Sequence, residues 1–186
     1  NVKNYANTKD FNEFHVVDEL TEIDFGNAVI SFFRTTHTIP DSIGISIKTA
    51  EGNIVYTGDF KFDQSASAPY ATDFARLAEI GKDGVFALLS DSSNAENSSL
   101  IASENQVAEE VYDTIRYWDG RIIVASVASN IQRVQQIFDA ADKAERFVVL
   151  TGKDAEQIVK TAIRLGKLTL PNEELLITEK EMKNKR

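Results

Sequence analysis

The sequence predicts an α/β fold in two parts: a β-rich layer over residues 1–63 and an α/β domain with a parallel sheet over residues 64–186. Two observations carry this. Ile43, Ile45 and Ile47 alternate with Gly44, Ser46 and Lys48, which is strand period, and Glu51-Gly52-Asn53 turns the chain into a second apolar run, Ile54 to Tyr56. Further on, three strand-length apolar runs, Val85–Leu89, Ile122–Val127 and Phe147–Leu150, each lead through a polar loop into an amphipathic helix. Strand, loop and helix repeated in that order build a parallel sheet with right-handed crossovers.

In chain order, Asn1 to Phe14 is polar and reads as a connector, and His15-Val16-Val17 as a short strand. Asp18 to Asp24 alternates acidic with apolar residues, Phe25-Gly26-Asn27 is a turn, and Val29 to Phe33 is a strand. Thr35 to Ser42 is a polar loop with His37 and Pro40, followed by the hairpin that Gly58-Asp59 ends. Asp73 to Gly81 is a short helix, with Phe74, Leu77 and Ile80 on one face and Gly81 at its end. Ser103 and Gln106 form a capping box, after which Val107, Val111, Ile115 and Trp118 share a face and Gly120 stops the helix. Ser129-Asn130 caps a helix that turns Ile131, Val134, Ile137, Phe138 and Ala141 inward. Thr151 to Asp154 opens a helix carrying Ile158, Ala162 and Leu165, closed by Gly166. Leu175-Leu176-Ile177 reads as the start of a fourth strand, and the charged stretch from Glu179 to Arg186 as an end that frays or is cut off from its continuation.

Composition narrows the function. The 186 residues are 42% hydrophobic, enough for a core, and no apolar run approaches the ~18 residues of a membrane span. The absence of cysteine excludes disulfides and thiolate metal sites and fits a cytoplasmic protein. A net charge of −9 argues against a surface that coats nucleic acid, though not against an RNA enzyme whose basic residues are confined to one groove.

The hairpin places chemistry at one edge of the sheet. With its turn near Glu51 and Gly52, Asp59 falls opposite roughly Gly44, where the loop bearing His37 ends. Imidazole and carboxylate are ligand types for zinc or manganese. A loop histidine and a turn aspartate with no metal is the plainer reading of the spacing. Asp91 closes a buried strand amid Ser90, Ser92, Ser93 and Asn94, and Ser129-Asn130 opens a helix, where N–H groups and the helix dipole favour an anion. A simple N-cap accounts for that pair equally well.

The wording T-T-H-T-I-P-D-S-I-G from Thr35 and Y-T-G-D-F-K-F-D from Tyr56 resembles the metallo-β-lactamase fold as used by the ribonuclease J family. The resemblance extends from about His15 to Ile177. It implies part of a metallo-β-lactamase layer over residues 1–63 and an inserted β-CASP domain over 64–186, incomplete at its C-terminus. It implies that His37 binds one zinc and Asp59 bridges two, so that both serve catalysis, and that Asp91, Ser129 and Asn130 face the RNA cleft. S-D-S-S-N differs from the family's S-D-S-T-N at Ser93. Gly152-Lys153-Asp154 stands where the family has Gly-Arg-Ser; a lysine cannot clamp phosphate as a bidentate arginine does.

That resemblance implies a zinc-dependent ribonuclease acting in RNA processing and decay as an exonuclease, an endonuclease or both. The expected partners are RNA and either a second copy of the protein, as a homo-oligomer, or a ribonuclease J paralogue, as a hetero-oligomer. Two alternatives stand beside that function: a weakly active or inactive paralogue that assembles with an active ribonuclease J, and a small-molecule metallohydrolase. With only His15 and His37, and without the family's H-x-H-x-D-H signature, the expectation is the middle of a longer protein. Alone, the chain is expected to hold no stoichiometric zinc and to cleave no RNA.

Overall fold

The computed structural model describes residues 13–97, 102–152 and 154–183. Five strands form one mixed sheet in the order β1 (Glu22–Asp24), β2 (Val29–Arg34), β3 (Ile43–Thr49), β4 (Gly52–Tyr56) and β5 (Val85–Leu89). β1 to β4 are antiparallel neighbours, and β5 runs parallel to β4. The crossover between β4 and β5 is α1 (Phe74–Lys82), whose Asp73 carboxylate accepts from Arg76 N–H as an N-cap. Ile80 and Leu77 of α1 pack on Phe33 and Val55 to form the apolar centre under the sheet. Gly44 is required by close approach: it pairs with Phe33, and a Cβ there would enter the Phe33 ring.

The hairpin is tighter than the sequence reading. Thr49 pairs with Gly52, leaving Ala50 and Glu51 as the loop. Gly52 takes φ of 130°, a conformation open to glycine. The shorter loop shifts the register, so Tyr56 pairs with Ile45, where a turn centred on Glu51 and Gly52 would have set it against Ile47.

Beyond the sheet lie α2 (Glu104–Tyr117), α3 (Ile131–Lys143), α4 (Ala155–Arg164) and one turn of helix, α5 (Glu179–Met182). The Ser103–Gln106 capping box is formed. At the other end of α2, Arg146 donates to the carbonyls of Ile115, Trp118 and Gly120, satisfying acceptors that a helix terminus leaves open. Ile131, Val134, Phe138 and Ala141 of α3 close on Val159 and Ala162 of α4, with Leu168 and Leu175, in a larger core than the one under the sheet.

Several strand expectations are corrected. Val85–Leu89 is a strand, but its partner is β4 rather than either of the other two apolar runs. Ile122–Val127 forms no ladder and Ile123 is 89% exposed; an apolar run without a hydrogen-bonding neighbour does not become a strand. Phe147–Leu150 and Leu175–Ile177 are reduced to one parallel bridge between Val148 and Leu176. The parallel sheet expected from the three repeats is therefore absent among the described residues. His15-Val16-Val17 is not a strand either, and Val16 is 97% exposed. At the charged end, the capping box of Thr178 and Glu181 forms a helical turn in place of a frayed tail. The connector to residue 12, Lys153 and residues 184–186 lie outside the described residues.

Candidate active site

Because β4 and β5 are parallel and β2 and β3 meet them antiparallel, one end of the sheet collects the end of β2, the start of β3 and the ends of β4 and β5. The loop from Thr35 to Ser42 is pinned there. Thr35 N–H donates to Ser42 O at 2.9 Å, and fully buried Thr36 donates its N–H to Thr72 Oγ1 at 3.0 Å. Lys61 N–H donates back to Thr36 O at 3.0 Å. That bridge holds the residue before His37 against the residue two beyond Asp59.

His37 Nε2 and Asp59 Oδ2 consequently stand 3.7 Å apart, with the imidazole mostly sheltered and the carboxylate 74% exposed. The separation is too long for a hydrogen bond. Asp91 follows β5 at the same edge. Its N–H donates to Thr57 Oγ1 at 3.1 Å, and Thr57 N–H donates to Leu89 O at 3.1 Å. Hydrogen bonds from the Ser93 hydroxyl and N–H hold the Asp91 carboxyl below its usual range against a slight opposing effect of burial, aided by Phe60 N–H and the neighbouring His37. A carboxylate so tied stays ionised through neutral pH.

Ser129 and Asn130 reach this end through α3. Gln132 N–H donates to Thr38 O at 3.4 Å, docking the helix start on the His37 loop. The expected free N–H groups are not free. Asn130 N–H goes to Val127 O, Ile131 N–H to Ser129 O and Arg133 N–H to Asn130 Oδ1. The N-cap reading describes the backbone; the Ser129 hydroxyl and the Asn130 Nδ2 donors are what the turn has left to offer. Beside it, a cavity of about 570 Å³ opens between Ile39, Pro40, Ile131, Ile158 and Leu165, with the Asp41–Lys167 ion pair at its margin.

Sequence reasoning missed the charged junction behind this edge. Glu104, the first residue of α2, receives Lys61 Nζ on Oε1 at 2.8 Å and Arg133 Nη2 on Oε2 at 2.9 Å. Its N–H donates to Asp63 Oδ2 at 2.8 Å. Burial alone would raise the Asp63 carboxyl, but bonds from Ser65 and from Glu104 N–H, with the charge of Lys61, outweigh it and lower it to about 2. Burial acts on Glu104 in the same sense and is overcome by Lys61 and Arg133, leaving it below its ordinary value. The only local sign of the junction was the capping box at Ser103.

As metal donors, His37 and Asp59 are of the right chemistry but are a partial set. Zinc sites use three or four protein ligands, and among the described residues no three His, Cys, Asp or Glu groups converge to hold a metal ion. No helix of the described residues is long and apolar enough to cross a membrane.

The Ribonuclease J, beta-CASP domain family matches residues 119–186. Ribonuclease J 2 of Streptococcus pyogenes serotype M3 is 61% identical over 181 residues, 97% of this chain and 33% of that protein. The chain belongs to the ribonuclease J family. Ribonuclease J 2 of Staphylococcus aureus is 44% identical over 167 residues, 89% of this chain and 30% of that protein. The chain thus spans about a third of the length of these ribonuclease J relatives. A crystal structure of a protein of unknown function from Enterococcus faecalis V583 shares the fold. Its TM-score is 0.65 at 16% identity, over 92% of this chain and 43% of that one.

Proposed function

We propose that the whole protein to which this ribonuclease J segment corresponds is a zinc-dependent ribonuclease of RNA processing and decay, working in the cytoplasm. The observation that carries the reading is the His37–Asp59 pair, 3.7 Å apart at a sheet edge that Asp91 and the Ser129–Asn130 turn also reach. In this reading His37 and Asp59 hold zinc together with ligands from elsewhere in the protein. Bound zinc supplies an ionised water at neutral pH and positive charge for the leaving oxygen. Asp91 takes part at the edge of the RNA cleft, where its carboxylate is kept anionic by Ser93 and Phe60. The Ser129 hydroxyl and Asn130 Nδ2 donate to the RNA backbone. Cleavage is exonucleolytic, endonucleolytic or both.

The test is cleavage of a 5′-monophosphorylated RNA by the whole protein, with metal content measured on the same sample. Asp59→Ala and Asp59→Asn are each expected to lower cleavage by on the order of a hundredfold or more, as loss of a charge-stabilising group at a reacting centre does. The fold should survive, because Asp59 is exposed. Normal cleavage and metal content in Asp59→Ala would defeat the reading. The 186-residue chain by itself is expected to retain no stoichiometric zinc after dialysis and to cleave no RNA.

A second reading, a weakly active subunit that assembles with an active ribonuclease J, draws support from Asp154. It begins α4 with no side-chain capping bond, so its carboxylate presents negative charge where a phosphate would approach. Mixing the whole protein with an active family member and measuring co-elution and cleavage separates the two.

A further inference from the structure

Glu104 is a buried carboxylate, 8% exposed, that the proposed chemistry does not use. Its two oxygens face two different segments. Oε1 meets Lys61 Nζ at 2.8 Å, and Lys61 lies two residues past Asp59, its N–H bonded to Thr36 O beside His37. Oε2 meets Arg133 Nη2 at 2.9 Å, and Arg133 lies in the first turn of α3, its N–H bonded to Asn130 Oδ1. The backbone of Glu104 is fixed as well: its N–H donates to Asp63 Oδ2 at 2.8 Å, and its carbonyl accepts from Gln136 Nε2 at 3.1 Å. Arg133 Nε is buried with no partner among the described residues, and the charge of that guanidinium is met through Glu104.

We propose that Glu104 is a positioning residue for RNA cleavage: its carboxylate locks the edge carrying His37 and Asp59 to the turn carrying Ser129 and Asn130. The proposal rests on the ribonuclease reading above. Its physical basis is that the two segments each bring a cation to the same buried carboxylate. Take away that charge and Lys61 and Arg133 repel across a poorly hydrated gap, which separates the segments they belong to. Asp63 is 3.4 Å from Lys61 Nζ and restrains that side alone, since its bonds go to Ser65, Glu104 N–H and Lys61. A displacement of about 1 Å between binding and reacting groups costs about a hundredfold in rate. Glu104 touches neither the candidate metal ligands nor the candidate RNA contacts, so its effect passes through Lys61 and Arg133.

The experiment is Glu104→Gln in the whole protein, assayed for kcat and KM on a 5′-monophosphorylated single-stranded RNA well below its melting temperature. Hydrogen exchange is followed on the same protein. The expected result is a kcat lowered about ten- to a hundredfold with KM changed by no more than about twofold. Peptides spanning residues 58–61 and 129–133 should lose protection together. Lys61→Gln added to Glu104→Gln removes one of the repelling cations and should recover part of kcat, a rescue that a purely stabilising role would not show at that temperature. A folded Glu104→Gln protein with wild-type kcat overturns the proposal, as does lost protection confined to one of the two peptides. If Glu104→Gln does not fold, Lys61→Gln and Arg133→Gln each remove one arm; wild-type kcat in both overturns the proposal, and a lowered kcat in either folded variant supports it. A wild-type protein that cleaves no RNA overturns the ribonuclease reading instead, and the paired loss of protection then decides the coupling by itself.

Discussion

In the sheet, β2, β3 and β4 are tied by continuous ladders of backbone hydrogen bonds over a small apolar centre of Phe33, Val55 and Ile80. In the helical body, α3 and α4 have almost no sheet to lean on and are joined by side chains, with Phe138 and Val159 deepest in a larger core. The candidate catalytic pair sits on loops of the first region, and the Ser129–Asn130 turn opens the second. Precision at the site therefore depends on how the two regions are joined, more than on how stable either one is. The junction of Lys61, Asp63, Glu104 and Arg133 is where they meet.

The strongest way to pull the regions apart is to empty the larger core. Phe138→Ala should cost about 3–5 kcal/mol, the usual range for a buried aromatic ring lost from a core. Hydrogen exchange should show protection falling across α3 and α4 while β2 and β3 keep theirs. Equal loss in both regions would mean that the junction makes them one cooperative unit.

Acid acts on the junction itself. The Asp63 carboxyl is lowered from 3.8 to about 2. The unfolded chain therefore takes up the proton first. The contribution of Asp63 is present in full above about pH 4 and is lost as pH falls from there towards about 2. A shift of that size is worth about 2 kcal/mol. Glu104 is lowered too and adds in the same direction. Denaturant unfolding at pH 6 and pH 3 should show the loss, and Asp63→Asn should flatten it.

The smallest effect sharpens the role of the turn. Asn130→Ala removes the N-cap of α3 and should cost about 1 kcal/mol. Asn130→Asp keeps the cap oxygen and removes the Nδ2 donors, so stability should stay close to wild type while RNA affinity of the whole protein weakens. Unchanged affinity in Asn130→Asp would leave Asn130 as a helix cap alone.

The parts of this molecule that the sequence made legible are those set by neighbours in the chain. Alternation of Ile43, Ile45 and Ile47 marked β3, and Ser103 with Gln106 marked the start of α2. The convergence of His37 and Asp59 followed from the hairpin, even though the turn is one pair tighter than its glycine suggested. What could not be read depends on partners far away. Val85–Leu89 and Ile122–Val127 look alike as apolar runs, yet only the first has a free edge, that of β4, to pair with. Glu104 was not singled out, because its cations lie 43 and 29 positions away.

The parallel pairing of β5 has a consequence for the chain in solution. β5 closes the sheet as its last strand, and Val85, Phe86, Leu88 and Leu89 are all exposed, so its apolar side chains and its outer backbone edge face water together. A short strand of this kind, with no proline and no charge of its own, templates pairing with a second copy of itself. The net charge of −9 opposes the approach of two such edges. Salt shortens the reach of that repulsion. Concentrated preparations of the isolated chain should accordingly be clearest at low ionic strength and turn cloudy as salt is added, opposite to the behaviour of a protein held together by attraction between unlike charges.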